Sequence, residues 1–159
     1  MNTEQAQLLR SILETQCIAS LGTLHKGEPY VSMVPFVLLP DASAFVIHVS
    51  ALSAHTKDML ASPPVSLLVM ALQTPEIAAQ ALPRVTIQGD ALQLDKSSQA
   101  YAEAKQAYLS RFPQSTVTFE LADFSLFAIT PRSIRLIGGF AQAKTILPET
   151  LVKAMCQKQ

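Results

Sequence analysis

A short stretch of hydroxyl and basic side chains lies between a predicted strand and a predicted helix. The apolar run at 44–49 is typical of a strand covered on both faces, and Ser53 is a good N-cap for the helix after it. Basic residues in the first turn oppose the helix dipole, but together with unpaired N–H groups and hydroxyls they attract an anion. The stretch 50–57 therefore predicts either a phosphate-binding cradle or a capped helix with a solvated lysine. The candidate cradle residues are Ser50, Ser53, His55, Thr56 and Lys57.

An arginine and two histidines outside this stretch are further candidates. Arg84 opens a predicted strand directly after Pro83; it either points back toward the cradle or is a surface residue at a strand end. His25 lies in a predicted turn, where water would surround it. His48 lies within the strand at 44–49, where a hydrogen-bonded, half-buried imidazole is favoured over a ligand or an acid–base role.

Sequence motifs for several other chemistries are absent. The chain has no Gly-x-Gly-x-x-Gly, no Walker-type loop and no Gly-x-Ser-x-Gly. It has no Cys/His cluster with the spacing of metal ligands, so no metal site is predicted. Paired carboxylates are absent from the apolar strands, which argues against a glycosidase. Catalytic residues are therefore left open.

Composition favours a single domain that associates with itself. The chain has 159 residues, of which 49% are hydrophobic and 15% charged, and its formal net charge is zero. So little charge on so apolar a chain is typical either of a surface that is largely covered, most simply by a second copy, or of a monomer with a generous core. The absence of a basic excess argues against nucleic acid as a partner.

Cysteine usage and the N-terminal sequence predict a cytoplasmic protein. Two lone cysteines, Cys17 and Cys156, fit a reducing compartment. The N-terminus lacks the basic start and apolar core of a signal peptide. No apolar run approaches the roughly 20 residues that cross a membrane, so no membrane association is expected.

Strand runs joined by tight turns, with helices interspersed singly, predict a mainly β (α+β) protein, an antiparallel barrel with flanking short helices. The predicted strands are 17–24, 30–39, 44–49, 65–72, 84–94, 124–129 and 134–137. The predicted helices are 4–16 with Thr3 as N-cap, a short helix after Ser53 with apolar spacing at Leu52, Thr56, Met59 and Leu60, and 97–112 with a stripe at Tyr101, Ala104, Tyr108 and Phe112.

Glycines and prolines predict where this sheet bends. A Lys-Gly pair at 26–27 predicts a tight hairpin. Pro35 places its strand at a sheet edge or at a bulge, and Gly89 predicts a bulge or bend. A turn at 130–133 and a break at 138–140 bound the last strand.

Several stretches, in the same order, resemble the FMN-binding split-barrel superfamily of pyridoxamine-5′-phosphate oxidase, and within it the haem-utilisation branch. The two most specific are VSALSAHTKDML at 49–60 and IRLIGGFAQA at 134–143. The others are GEPYVSMVPF at 27–36, Arg84 before VTIQG, YLSRFP at 108–113 and ADFSLFAITP at 122–131. The resemblance implies a split-barrel domain over 1–143 and a C-terminal tail over 144–159.

The resemblance also implies a homodimer of antiparallel split barrels with two FMN sites at the interface. It implies that Tyr30, Val31 and Ser32 line the flavin from their strand. It implies that the flavin phosphate is held at the start of the short helix, as the cradle interpretation also proposes. The residues implied to bind FMN are Tyr30, Val31, Ser32, Ser50, His55, Thr56, Lys57 and Arg84.

Three functions follow from these observations. An FMN-binding oxidoreductase of unknown substrate is the leading hypothesis, because the cradle and the resemblance agree. A haem-binding or haem-degrading protein is the alternative, with His48 or His25 as candidate axial ligands. A cofactor-less binding module is the third, because Ser62-Pro63-Pro64 stands where the haem-utilisation branch often has Asp-Pro-Arg.

Overall fold

Eight strands and five short helices make up the part of the chain that the computed structural model describes, residues 1–139 and 142–156. The strands are β1 (Ile18–His25), β2 (Glu28–Pro35), β3 (Val37–Leu38), β4 (Phe45–Ser50), β5 (Pro64–Met70), β6 (Arg84–Gln93), β7 (Phe124–Gly139) and β8 (Gln142–Ile146). The helices are α1 (Thr3–Thr15), α2 (Ala54–Ala61), α3 (Gln99–Arg111), α4 (Thr116–Phe119) and α5 (Pro148–Cys156). The strand pairs are antiparallel in the order β2-β1-β5-β6-β7-β4-β3, with β8 on β7. The predicted fold class, an antiparallel split β-barrel with flanking helices, is confirmed.

The hairpin between β1 and β2 forms at the predicted Lys-Gly pair. Lys26 and Gly27 both have positive φ, 54° and 85°, as a two-residue hairpin turn that matches the strand twist requires. In the described part of the chain β2 pairs only with β1 and ends the strand order, so Pro35 lies on an edge strand, as predicted.

One long strand, β7, replaces the two strands and the turn predicted at 130–133. β6 pairs along β7 with a register shift at Gly89, which confirms the predicted bulge. A Cβ at Gly89 would lie 2.3 Å from the Thr130 carbonyl oxygen, so glycine alone allows the two strands to approach this closely. Pairing with β6 keeps the segment extended, although its Thr-Pro sequence is locally typical of a turn.

The buried strand β4 separates two parts of the core, as the unbroken apolar run predicted. Phe45 and Ile47 belong to the larger cluster, which α1 and α5 complete. Val46 belongs to a smaller cluster beneath α3, with Tyr108 and Leu126. Burial of each of these large side chains stabilises the fold by roughly 1.5–3 kcal/mol. β4 therefore ends at Ser50 with little freedom to shift, and this fixes where α2 begins.

The ends of α1 and α3 refine the helix predictions. Asn2, not Thr3, caps α1: its side chain accepts from the Gln5 N–H while the Gln5 side chain accepts from the Asn2 N–H. The stripe predicted for α3 is buried at Ala104 and Tyr108. α4, which follows α3 after a short 3-10 turn at Pro113–Ser115, was not predicted, since its four residues are too short for a helical periodicity.

The apolar spacing predicted for α2 is only half right. Thr56 and Met59 are buried, but Leu52 and Leu60 are 80% and 59% exposed. Ser53 is the N-cap residue, as predicted. No helix within residues 1–139 and 142–156 combines the length and the apolar character needed to cross a membrane.

A strand and a helix occupy the region where the sequence predicted a tail over 144–159. β8 pairs with β7, and α5 places Leu151 and Ala154 in the core. The Arg10 side chain of α1 donates to the Ala154 carbonyl and so joins the two ends of the chain. Residues 140 and 141, within the predicted break at 138–140 and the motif at 134–143, lie outside the described residues, as do 157–159.

Candidate functional site

The predicted cradle at the start of α2 has hydroxyls that are already used within the turn. The Ser53 side chain makes no capping hydrogen bond. The Ser50 hydroxyl donates to Asp123 Oδ2 at 2.5 Å and accepts from the Leu52 N–H at 3.1 Å. The Thr56 hydroxyl donates to the Ser50 carbonyl at 2.7 Å. In this arrangement the two hydroxyls hold the strand-to-helix turn and point no donor at a ligand.

Asp123, which sequence reasoning missed, brings a carboxylate to the same turn. Its Oδ2 accepts from Ser50, and its backbone carbonyl accepts from the Ala51 N–H at 2.7 Å. A carboxylate near the first turn of a helix interacts favourably with the helix dipole and opposes a second anion at that point. The protein therefore already supplies, through Asp123, part of the negative charge that an anionic ligand would bring to the start of α2.

The first turn of α2 is joined to β2 through a histidine. His55 Nδ1 lies 3.1 Å from the Ser32 hydroxyl. Burial lowers the pKa of His55, and the nearby Asp58 carboxylate offsets part of that effect. Lys57, on the same turn, is exposed. The structure thus brings together Ser32 and His55, two of the predicted site residues, and Lys57 lies exposed two residues after His55 in the same helix.

The other predicted site residues are divided between different faces and ends of the sheet. Opposite residues of an antiparallel pair share a face, so Tyr30, opposite Thr23, faces the α2 side, and Val31, the next residue, faces away. Arg84 donates to the Leu82 carbonyl at 2.9 Å. Arg84 pairs with one end of β7, and Ser50 pairs with the other end. Within one chain, Arg84 is therefore not part of the cradle.

A buried carboxylate beneath the hairpin forms a cluster that the sequence did not reveal. Asp58, 5% exposed, accepts from the Thr23 hydroxyl at 2.8 Å through Oδ2. Its Oδ1 lies 2.8 Å from His25 Nδ1. His25 is therefore hydrogen-bonded to Asp58 and lies at the end of β1 with its side chain 40% exposed, which corrects its prediction as a turn residue surrounded by water alone. The partners are 35 and 33 residues apart in the chain, so no local signal marks the cluster.

The carboxylate fixes the chemistry of His25. Burial raises the pKa of Asp58, but hydrogen bonds from His25 and Thr23 and the nearby imidazoles outweigh it, so the pKa lies below its usual value. Because an ionised carboxylate only accepts, His25 Nδ1 carries the hydrogen. The lone pair of the neutral ring then lies on Nε2, and the side chain is 40% exposed. This arrangement presents a basic nitrogen in a fixed orientation, as metal-binding histidines with a carboxylate partner do.

His48 is enclosed by aromatic rings. Its ring stacks on Phe119 at a centroid distance of 3.8 Å, with Phe124 and Tyr108 at 5.1 and 5.7 Å. Its Nδ1 lies 3.3 Å from the Thr118 hydroxyl, and the residue is 7% exposed. Burial, together with Lys96 and Lys105, lowers the pKa of His48 to about 4. The prediction of a hydrogen-bonded imidazole is confirmed, and the burial is deeper than expected.

The curled antiparallel sheet, with α2 packed beside β1, is that of the split-barrel proteins. The chain belongs to the family described as pyridoxamine 5′-phosphate oxidase, whose model matches residues 6–138. This match confirms the resemblance drawn from the sequence motifs. No group of three or more side chains suited to holding a metal ion occurs in residues 1–139 and 142–156.

Two relatives are named for haem chemistry. The chain is 34% identical over 138 residues to the chloroplastic heme oxygenase HOZ of Arabidopsis thaliana, covering 85% of this chain and 40% of that protein. It is 25% identical over 128 residues to heme oxygenase HutZ of Vibrio cholerae, covering 80% of this chain and 72% of that protein. A heme binding protein from Mycobacterium smegmatis superposes with a TM-score of 0.84 at 25% identity, over 96% of this chain and 62% of that one. The resemblance to the haem-utilisation branch is thereby confirmed.

Proposed function

We propose that this chain is a haem-binding protein whose barrel serves haem degradation. The observation that carries the proposal is the identity to the heme oxygenase HOZ, which extends over 85% of the chain. The comparisons favour the alternative hypothesis of the sequence analysis over its leading one, an FMN-dependent oxidoreductase. Because the chain spans 40% of HOZ, the activity of the whole relative is part of the proposal.

His25 fits the role of an axial ligand better than the other histidines do. Its Nδ1–H is held by the buried Asp58, so that the neutral ring carries its lone pair on Nε2, and the side chain is 40% exposed. His48, the other candidate, is 7% exposed and covered by the Phe119 ring. His55 directs Nδ1 at Ser32, and no carboxylate of residues 1–139 and 142–156 accepts a hydrogen bond from it.

The surroundings of His25 suit a flat, largely apolar macrocycle. The Tyr30 ring lies 5.5 Å from the His25 ring, on the same face of the hairpin. Bound haem would supply a redox-active iron and would itself be the substrate for degradation. In this proposal His25 holds the iron, Asp58 orients His25, and Thr23 holds the second carboxylate oxygen.

Haemin titration followed by visible absorption tests the proposal. We expect a Soret band at one haemin per chain in the unmodified protein. His25→Ala should abolish or shift that band, whereas His55→Ala, the same substitution on the other side of Asp58, should leave it unchanged. Asp58→Asn should weaken haemin binding by about 10-fold to 100-fold, as is typical when the hydrogen-bond partner of a ligating histidine is changed.

The outcomes test haem binding, the assignment of His25 as axial ligand and haem degradation separately. If the unmodified protein shows no Soret band at stoichiometric haemin, the haem proposal is wrong. If His25→Ala keeps the unmodified spectrum, haem binding stands and the assignment of His25 is wrong. Degradation is tested by adding ascorbate in air to the haemin-loaded protein; a Soret band that does not decline would restrict the function to binding.

FMN binding is the second candidate, because His55 is joined to Ser32 and lies beside the exposed Lys57. Lys57 is the cationic side chain of the predicted cradle, since burial lowers the pKa of His55, and the hydroxyls of Ser50 and Thr56 are used within the turn. Gel filtration with FMN tests it. Flavin that stays with the protein, and is lost in the double variant His55→Ala/Lys57→Ala, would support this candidate; flavin that separates would count against it.

A homodimer is part of the proposal, because large apolar side chains remain exposed on the terminal hairpin. Ile18, Val31 and Met33 are 54%, 67% and 61% exposed, more than a monomer is expected to leave in one region. Val31→Lys should shift the molar mass measured by light scattering toward the monomer. The proposed location is the cytoplasm, in keeping with the free Cys17 and Cys156.

A further inference from the structure

A serine hydroxyl and an imidazole meet between the β1–β2 hairpin and the start of α2. Ser32 Oγ, on β2, lies 3.1 Å from Nδ1 of His55, the second residue of α2. Both residues are half-buried, so the pair is held by its surroundings and keeps part of its surface in solvent. A hydroxyl within hydrogen-bond reach of an imidazole is the arrangement of a nucleophile and its general base.

His55 has the protonation state that a general base needs. Burial lowers the pKa of His55 below the ordinary value of 6.5, so the ring is neutral at pH 7. In the tautomer with the hydrogen on Nε2, the lone pair of Nδ1 accepts from the Ser32 hydroxyl. The nearby Asp58 carboxylate favours the charged ring, and so stabilises the imidazolium that forms when the proton moves.

Unused N–H groups lie at the same end of α2 as the His55 ring. The Ser53 side chain makes no capping hydrogen bond, and the N–H groups of Ala54 and His55 have no partner among the described residues. Side chains of a helix are tilted toward its N-terminus, so the ring that contacts Ser32 lies on the side of these donors. Free N–H groups at the positive end of a helix are suited to stabilising the oxyanion of an acyl-transfer intermediate.

The Tyr30 ring gives the pair an aromatic neighbour. Tyr30 and Ser32 are alternate residues of β2, so they face the same side of the strand, roughly 7 Å apart. Tyr30 is 40% exposed, so an aryl group can pack on its ring while an attached carbonyl reaches the Ser32 hydroxyl. A neutral ester suits this position better than a phosphate, because Asp123 already brings negative charge to the turn before α2.

We propose that this chain hydrolyses small aryl esters of carboxylic acids, with Ser32 as the nucleophile and His55 as the general base. Ser32 Oγ attacks the ester carbonyl carbon while its proton passes to His55 Nδ1. The bond from that carbon to the aryl oxygen breaks, and the leaving phenol takes the proton from His55. Water, losing a proton to the same nitrogen, then attacks the acyl-serine; the carboxylic acid leaves, and the proton returns to Ser32. The reaction uses neither haem nor flavin, so it is independent of the function proposed above.

Hydrolysis of p-nitrophenyl acetate by the haem-free chain, followed by the release of p-nitrophenolate, tests the proposal. Ser32→Ala and His55→Ala should each lower kcat/KM by about 100-fold or more, the usual contribution of general base catalysis. Ser20→Ala, which changes a half-buried serine on the neighbouring strand β1, is the matched control and should leave kcat/KM unchanged. In the unmodified chain kcat/KM should fall as the pH drops through the pKa of His55, which lies below 6.5.

A fluorophosphonate, which bonds covalently to activated serines, locates the nucleophile by peptide mass spectrometry. We expect the label on Ser32 and its loss in His55→Ala. Full hydrolysis by folded Ser32→Ala, a label on another serine, or no label at all would each overturn the proposal. If Ser32→Ala does not fold, the position of the label in the unmodified chain decides. A Soret band in a chain without esterase activity would refute this proposal alone and leave haem binding standing.

Discussion

Two histidines of the sheet, His25 and His48, have opposite surroundings. His25 is paired with a carboxylate at an exposed strand end, and His48 lies among aromatic rings with a single hydroxyl near Nδ1. The carboxylate supplies charge and orientation to His25, whereas burial disfavours the charged form of His48. The same side chain is therefore available for ligation in one region and held neutral, as a packing element, in the other. Position on the sheet, not residue type, determines which histidine can do chemistry.

The largest effect that tests this comparison is the pH dependence that His48 gives to the stability of the fold. Its pKa is about 4 in the folded chain and 6.5 for an unperturbed group, so the unfolded chain binds more protons between these values. The contribution of neutral His48 to stability is fully present above about pH 6.5. The free energy of unfolding should fall by roughly 3 kcal/mol as the pH drops from there to 4. Urea unfolding at a series of pH values measures this slope.

Two variants identify the source of that slope. His48→Gln should flatten it, because glutamine does not titrate. Thr118→Val should lower stability and keep the slope, since His48 stays buried. Asp58 adds a separate pH dependence at lower pH. Its contribution to the free energy of unfolding is fully present above the usual carboxyl pKa of 3.8 and is lost as the pH falls through the lower pKa of the folded state. A slope unchanged by His48→Gln would show that the aromatic cluster does not hold His48 neutral.

A smaller effect on stability is expected at Asp58, the carboxylate that pairs with His25. Thr23→Val removes the hydroxyl that donates to Asp58 Oδ2 and leaves that oxygen buried without its partner. The free energy of unfolding at pH 7 should fall by about 1.5 kcal/mol, the usual value for a hydrogen bond to a charged group. Thr86→Val, a half-buried threonine of β6, is the matched control and should change stability by less than about 0.5 kcal/mol. Equal losses of stability in the two variants would mean that the hydrogen bond from Thr23 to Asp58 contributes no more than an ordinary threonine contact.

The smallest effect is expected at the link between β2 and α2. Ser32→Ala removes the partly buried contact with His55 Nδ1 and should cost about 0.5–1 kcal/mol. A double-mutant cycle with His55→Ala isolates the pair, and unfolding by urea measures each corner. Strictly additive losses would show that the two side chains do not interact.

The sequence predicts this fold well wherever the signal is local. The period of the strands, the Lys-Gly hairpin and the bulge at Gly89 depend on neighbouring residues, and all were correct. The turn at 130–133 was wrong because pairing with β6 overrides a local turn preference. β8 and α5 were missed because each is short and is ordered by packing on β7 and α1.

The site was less predictable than the fold because its contacts are not local. The start of α2 was recognised, yet Asp123 lies 73 residues from its partner Ser50 and leaves no trace in the local pattern. The sequence likewise showed no protein partner for His25, because Asp58 is 33 residues away. Residue types at a helix end indicate which chemistry is possible there; long-range pairing decides which donors remain available for it.

The long strand β7 also has a consequence for synthesis on the ribosome. β4, β6 and β8 all pair with β7, so the sheet cannot be completed before residue 139 has left the exit tunnel. Until then β4 and β6 each expose an unpaired, apolar edge, which is the kind of surface that promotes aggregation of nascent chains. The chain should therefore depend on chaperones late in translation, and truncation within β7 should be far more harmful than its number of missing residues suggests.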